Sequence, residues 1–480
     1  MIYDVLIIGG GILGASIARE LSKYKLDVAV VEKGYDIGEG ATKANSGVLG
    51  AGFHPRGGSL KGISCVKGNQ MYRNICRELG VSVKYTGSLF VAFHQGGIEA
   101  IEEKYNKGLQ NGVPGMRIID GDEARLMEPG LSPKVIRALY APTTGIISVF
   151  SLILKTAQSA AKNGVEFLFD TEVLRLESRG EIYVVETNRG EMKARFLVNA
   201  AGEEAAKVEN FVRPADLVIK PRRGQFYVFD KQGENGLSHV IYQAQETDEK
   251  GCLLAPTVEG NILAGPTSEN VRDYNRVETT REGLAHIERV AKKLLPDLDM
   301  GQVITSFAGV RANIRNVVKE EKDFVVRVSG PRMVSCLGIK NPGMTAAPYL
   351  SLLAVELLQK EGLGREMNPR FDPYLTPSEK IVDLPEEKQK ELCAADKRYG
   401  NVVCRCEQVT EGDILRVLKE PLPPGSLNGM KKRLRLGMGR CQGGFCTPRL
   451  IEILSREWGK SPEEICKSGK GSNLVKGRLK

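Results

Sequence analysis

The run Gly9-x-Gly11-x-x-Gly14 lies between an apolar, strand-like stretch from Asp4 to Ile8 and a segment of helical spacing from Ala15 to Tyr24. A second apolar stretch, Leu26 to Val31, ends on Glu32, eighteen residues after Gly14. A glycine triplet alone is a weak signal. Strand, glycine turn, helix and acid-tipped strand in this order define a βαβ unit suited to a dinucleotide. Gly9 makes the sharp turn, Gly11 leaves room for a pyrophosphate at the helix N-terminus, and Gly14 lets helix and strand approach closely. Glu32 is placed to accept both ribose hydroxyls, and its charge disfavours a 2′-phosphate; Lys33 follows it at the same strand end.

The fingerprint does not separate NAD from FAD. Two further stretches lean toward a flavin. Gly38 to Gly47 is glycine-rich and places Thr42, Ser46 and Gly47 where hydroxyls and amides can meet phosphate and flavin oxygens. Late in the chain, Gly338-Ile-Lys340-Asn-Pro-Gly343-Met344-Thr345 precedes an apolar helix, whose amide end and Lys340 can hold negative charge at a flavin N1/C2 carbonyl. No second strand-coupled fingerprint offers a place for a pyridine nucleotide.

The 54 glycines among 480 residues exceed the usual share and fit such tight turns. The net charge of +9 is spread without a block of five or six like charges, so a nucleic-acid tail is not expected. A mild basic excess suits small anionic substrates, and scattered surface lysines explain it too. The apolar run from Val5 to Ala18 is too short to span a bilayer and lacks a basic n-region, so a cytoplasmic protein without direct membrane insertion is expected.

Phe150 to Lys162 reads as a helix closed by Asn163-Gly164, followed by a strand from Val165 to Phe169. Asn188-Arg189-Gly190 marks a hairpin whose second strand runs into LVNAAG, Leu197 to Gly202. Val83 to Phe93 and Lys220 to Phe229 read as longer strands of a second sheet. From Phe371 to Lys397 three prolines and many charges suggest a linker.

The fingerprint, NSGVLGAGFHPRGGSLK, GIISVF, LVNAAG, PRRGQFYVF, PTVEGNILAGPT and AGVRA together resemble the FAD-dependent oxidoreductases of the D-amino-acid-oxidase superfamily. Within it, the branch holding glycerol-3-phosphate dehydrogenases and L-2-hydroxyglutarate oxidases is the most similar. The resemblance implies an α/β plus α+β architecture: a Rossmann-like FAD-binding domain and a mixed-sheet substrate domain. These would share residues 1–370, with FAD-binding segments at about 1–80, 145–210 and 335–370 and substrate-side segments at about 81–144 and 211–334. It adds Val173, Ala201 and Gly202 to the FAD-binding residues. It implies that Arg311 binds the substrate anion and that Lys340 lies near the flavin. His54 stands where the glycerol-3-phosphate family carries a substrate-facing arginine, and is the preferred base. The family's usual active-site histidine belongs near Arg223-Gly224-Gln225, where this chain has none.

After the linker at 371–398, residues 399–480 hold Cys404-x-Cys406, thirty-four intervening residues, and Cys441-x4-Cys446. Four thiolates can bind zinc or an iron–sulfur cluster, and zinc ribbons prefer C-x2-C pairs. CRCEQVTEGDI and GRCQGGFC resemble the bacterioferritin-associated-ferredoxin-like domain, which implies a [2Fe-2S] cluster. Arg405, Arg440 and the KKRLR run, Lys431 to Arg435, are expected to neutralise an anionic cluster or to form a solvated basic loop. The reading is a dehydrogenase of sn-glycerol 3-phosphate that sends electrons through the cluster to a partner flavin or iron–sulfur subunit of a hetero-oligomer. L-2-hydroxyglutarate is the alternative substrate, and a flavin and iron–sulfur scaffold without a substrate site is the alternative of another class.

Overall fold

Ile2–Ile8 becomes a central strand because its last four residues are apolar on both sides and have to be covered twice. In this computed structural model, which describes residues 1–214, 217–233, 236–244, 252–316, 323–376 and 379–477, it pairs in parallel with Val28–Val31 and with Gly190–Asn199. Glu166–Leu168 extends the parallel set beyond one neighbour, and Met333–Leu337 extends it beyond the other. Val173–Arg179, Ile182–Thr187 and Val325–Gly330 add antiparallel edges, giving eight strands drawn from well-separated parts of the chain.

One face of this sheet is buried under the helices Ile12–Leu21, Leu60–Leu79, Val149–Lys162 and Gly343–Lys360. Ile17, Leu21, Tyr72, Leu152, Leu350 and Ala354 interlock there. Each fully buried aliphatic or aromatic side chain of this kind contributes about 1.5–3 kcal/mol. The fingerprint glycines are fixed by sterics. A Cβ on Gly14 would stand 1.9 Å from the Gly9 carbonyl oxygen, and one on Gly9, whose φ is +108°, would stand 2.5 Å from the Ala200 carbonyl oxygen.

A second, nine-stranded sheet has its core at Leu89, Ile241, Leu254 and Ile287. Its dominant feature is the antiparallel pair Leu217–Phe229 and Val303–Asn316, which sets Arg222 opposite Arg311, Gly224 opposite Gly309 and Phe226 opposite Phe307. The stretch read as one strand from Val83 to Phe93 is two. Val83–Lys84 joins a small sheet with Val48–Leu49 and Gly145–Ile147, whereas Ser88–Ala92 enters the large sheet. Gly87, with φ +74°, redirects the chain between them, and a Cβ there would press within 2.8 Å of the Tyr140 ring.

Residues 403–465 carry a hydrophobic cluster of their own, with Val409, Ile414, Met430, Leu450 and Leu454 buried among the helices Glu411–Val417, Leu427–Leu434 and Cys446–Trp458. Thr410 and Asp413 form a capping box at the first of these helices. The Pro-rich stretch before this cluster is more than a tether. It holds the helix Glu386–Ala395, and Asp372 exchanges hydrogen bonds with Asn163 and an ion pair with Lys162. Lys380 and Ile381 bond into the cysteine-bearing part at the Glu407 carbonyl and Asp413; residues 377–378 lie outside the described set. Among the described residues, no helix is long and apolar enough to cross a membrane.

Candidate active site and redox centre

At the dinucleotide end, Glu32 is buried and accepts hydrogen bonds from the Gly10 and Gly34 amides, each at 2.7 Å. Burial raises its pKa, and the two amides oppose that rise. Thr42 Oγ1 accepts from the amide of Ile12, the first residue of the fingerprint helix, at 3.1 Å, so the 33–42 loop returns to the helix N-terminus. Lys33 is tied at 2.9 Å to Glu204, just beyond Ala201 and Gly202. Gly202 has φ +58° with open space where a Cβ would point. Val173 is buried in the sheet layer with Leu6, Ile8 and Val31, two residues from Thr171, whose amide bonds the Glu32 carbonyl. Gly11 would meet only Thr42 Oγ1, at 3.3 Å, if it carried a Cβ, so the cradle at the helix N-terminus is open apart from that hydroxyl.

At the other end, Gly47, with φ +75°, accepts from the Ile147 amide, and Ser46 precedes it on the approach to Val48–Leu49. The Gly50 amide donates to Thr345 Oγ1 at 3.1 Å, and Tyr72 donates to the Met344 carbonyl at 2.6 Å. These bonds set the Gly343–Lys360 N-terminus beside the chain leading to His54. Gly338, with φ +68°, turns the strand Met333–Leu337 into this loop, and the Lys340 ammonium donates to Asn313 Oδ1.

Asn313 and Arg311 lie two apart on one strand and therefore on one face, with Arg222 directly across from Arg311. The same face meets the flavin-side loop, because a Cβ on Gly309 would sit 2.2 Å from Ala44 Cβ. Arg311 donates to the Thr267 carbonyl at 3.1 Å and lies over Gly224, where a Cβ would collide with its guanidinium at 2.4 Å. Its pKa is pulled down to about 10, first by burial and then by Arg222, so it stays charged at neutral pH. Arg222 is absent from the sequence reading. Its Nε is buried without a hydrogen-bond partner, and among the described residues no carboxylate pairs with it. Arg223, on the opposite face, is neutralised by Glu269 and Glu278, each at 2.7 Å, and borders an open surface cleft with Arg272 and Arg276. Two cross-strand guanidiniums with no carboxylate partner among the described residues have the charge and the donors that an anionic group needs.

His54 lies among aromatic rings. Its ring lies 4.3 Å from Phe53, 5.0 Å from Tyr242 and 5.7 Å from Phe90, centroid to centroid. The side chain keeps an exposed surface although protein packs closely around it. Burial, then Lys104 and Lys107, pull its pKa down to about 3, leaving a neutral imidazole at working pH. The other three histidines stand elsewhere: His94 precedes the helix Gln95–Asn111, His239 bonds Glu128, and His286 lies beside Arg289 on Arg281–Leu294.

The four late cysteines gather as two pairs. Cys406 and Cys441 place their sulfurs 3.8 Å apart, and the Cys446 thiol donates to Cys404. That bond, with the amides of Glu407, Gly437 and Cys406, pulls Cys404 down to about 6 against the effect of burial. Among the described residues, no group of three or more His, Cys, Asp or Glu side chains is set to share a single ion. Two thiol pairs with backbone N–H donors match the demands of a two-iron cluster better than those of a four-donor zinc cage. Cys65, Cys76, Cys252 and Cys336 are buried thiols, each pushed up to about 12 by desolvation. The basic run departs from its expected role: Lys432 and Arg433 reach Asp36 and Glu39 beyond Glu32, and Arg435 reaches Glu407 and Glu259.

Residues 4–357 match the FAD dependent oxidoreductase family, and the chain belongs to it. Residues 402–456 match the BFD-like [2Fe-2S] binding domain. The protein is accordingly an oxidoreductase whose cofactors are FAD and a [2Fe-2S] cluster. A glycerol 3-phosphate dehydrogenase of Caloramator mitchellensis is 40% identical over all of this chain and 99% of its own length. A glycerol 3-phosphate oxidase of Mycoplasma pneumoniae is 30% identical over 74% of this chain and 94% of its own. One subunit of the anaerobic glycerol-3-phosphate dehydrogenase of Escherichia coli K12 is 25% identical over 94% of this chain and 88% of its own. Among solved structures, the FAD-bound L-alpha-glycerophosphate oxidase of Mycoplasma pneumoniae superimposes with a TM-score of 0.73 at 28% identity, covering 78% of this chain and 98% of that one.

Proposed function

We propose that the protein oxidises sn-glycerol 3-phosphate to dihydroxyacetone phosphate, with the electrons leaving through the [2Fe-2S] cluster to a partner redox subunit. The observation that carries this reading is the pair Arg222 and Arg311, without a carboxylate partner among the described residues, on the face that meets the flavin loop. Its charge matches a phosphate dianion, and glycerol 3-phosphate is the substrate named for the relative that spans the whole chain. FAD supplies the hydride acceptor, so the carbinol C–H leaves with two electrons and the hydroxyl proton goes to a base. Arg222 and Arg311 hold the phosphate, Lys340 and Asn313 border the reacting end, and neutral His54 takes the proton. Ten cysteines without a disulfide, six of them buried, support a reducing, cytoplasmic setting.

Anaerobic dye reduction by purified holoenzyme tests the substrate. Rapid bleaching of the flavin by sn-glycerol 3-phosphate and none by L-2-hydroxyglutarate is expected; the reverse order refutes the assignment, and no reduction by either supports a scaffold role.

The state of His54 adds a pH expectation. A group that is neutral above about pH 3 is unprotonated across pH 5–8 and gains its proton only on further acidification. His54→Ala should therefore lower kcat/KM without changing the shape of its profile in that window. A limb near the ordinary histidine pKa that vanishes in the variant contradicts this.

A further inference from the structure

The basic run Lys431 to Arg435 is not spent on the cysteines. Lys432 and Arg433 project from the helix Leu427–Leu434 into the loop that follows Glu32. Arg433 donates to both Asp36 carboxylate oxygens, at 2.8 and 3.1 Å, and also to the Leu422 carbonyl at 2.6 Å. Lys432 donates to the Ile37 carbonyl at 3.1 Å and to Glu39, and lies 3.3 Å from Asp36. The side chains are buried: 1% of Arg433, 9% of Lys432 and 3% of Asp36 is exposed. Burial pushes the Asp36 pKa up, but Arg433 and Lys432 outweigh it and hold the carboxyl below its ordinary value.

The inner side of the same loop is fastened to the fingerprint. The Gly38 amide donates to the Gly10 carbonyl at 2.9 Å, Glu32 accepts from Gly10 and Gly34, and Thr42 accepts from Ile12. A Cβ on Gly10 would already touch Glu32 and Ile37 at 3.1 Å, so the loop cannot settle closer without moving the turn. One ten-residue strap thus has the fingerprint on one side and two buried cations of the cysteine-bearing module on the other.

We propose that Lys432 and Arg433 are positioning residues of the FAD site, fixing the 33–42 loop from behind so that FAD affinity depends on the docked iron–sulfur module. The inference rests on the assignment of Glu32 and Thr42 to FAD. A bidentate guanidinium on a buried carboxylate holds one geometry, and removing both cations leaves the buried Asp36 carboxylate without a charged partner in the strap. By linkage the effect is reciprocal: FAD bound at the inner side favours docking of the module at the outer side.

The test uses full-length holoenzyme with both cofactors. Lys432→Ala/Arg433→Ala should weaken FAD binding tenfold or more, read by recovery of flavin fluorescence on dilution, while the visible circular dichroism of the cluster persists. Arg433→Lys, which keeps charge but loses the fork, should show a smaller loss. Arg398→Ala, which removes an exposed ion pair with Asp396 in the same part of the chain, should show none. In wild-type protein stripped of FAD, amide exchange at 427–434 should rise. Glu32→Ala is the reference: FAD loss there with unchanged affinity in the double variant and in Arg433→Lys overturns the coupling alone. Unchanged affinity in all of them overturns the site assignment beneath it. If the double variant fails to fold, Arg433→Lys and the stripped wild-type protein decide, and unaltered FAD release with unaltered exchange defeats the inference.

Discussion

Arg311→Ala lowers kcat/KM for sn-glycerol 3-phosphate by about 2–4 kcal/mol, roughly a thirty- to thousand-fold loss, while FAD content stays full. The magnitude follows from what the side chain lacks. Arg311 has one carbonyl partner and no carboxylate among the described residues, and its pKa is already pulled down by burial and by Arg222. Two like charges therefore face each other across one strand pair with no carboxylate partner among the described residues, a cost that a bound dianion removes. Truncating one arginine leaves the phosphate with half its receptor in a partly desolvated place. It also relieves the repulsion between the two guanidiniums. Arg222→Ala should behave similarly, and the double variant should lose less than the sum, because either single change already breaks the two-armed grip. Equal kinetics for wild type and Arg311→Ala would remove the arginine pair from the substrate site. The split between KM and kcat locates the contribution: a rise in KM alone means uniform binding, whereas a fall in kcat means the grip also aligns the C–H bond with the acceptor.

The difference between Arg311 and Arg222 shows what the sequence can and cannot display. AGVRA resembles a family motif, so Arg311 is visible from the residues. Arg222 stands in PRRG beside Arg223, and nothing in the string says which of the two faces the site. The answer depends on the register between strands about ninety residues apart, which places Arg222 across from Arg311 and turns Arg223 toward Glu269 and Glu278. The βαβ unit is legible because its contacts are local: the turn, the helix and Glu32 fall within thirty-two residues. For the opposite reason the KKRLR run reads as a local neutraliser of the cysteines. Its real partners, Asp36 and Glu39, lie some four hundred residues earlier, and only packing of the two parts brings them together. The split of Val83 to Phe93 into strands of two sheets is legible in hindsight at Gly87. The aromatic wall around His54 is not, since Phe90 and Tyr242 come from separate strands of the large sheet.

Replacing Cys441 and Cys446 by Ser should separate the two halves of the proposed reaction. Substrate-driven flavin reduction survives, and transfer to the physiological acceptor falls to background. The variant takes one cysteine from each pair, so neither pair can hold an iron through two thiolates. The flavin domain has its own core and does not need those sulfurs to fold. Reduced FAD carries two electrons and a [2Fe-2S] centre passes one at a time, so a cluster on the same chain serves an acceptor that is itself a redox centre. The surroundings favour that direction of flow. Cys406 is exposed, Cys441 is half-buried, and Phe445 beside Cys446 has 86% of its surface accessible, so the cysteine loops present an open face. Stopped-flow bleaching of the flavin measures the first half, and reduction of the co-purified partner measures the second. Because Lys432 and Arg433 are unchanged, FAD content should also stay normal, provided the module remains docked. If both activities persist without the cluster and the native protein purifies alone, the electrons leave from the flavin directly and the relay is wrong.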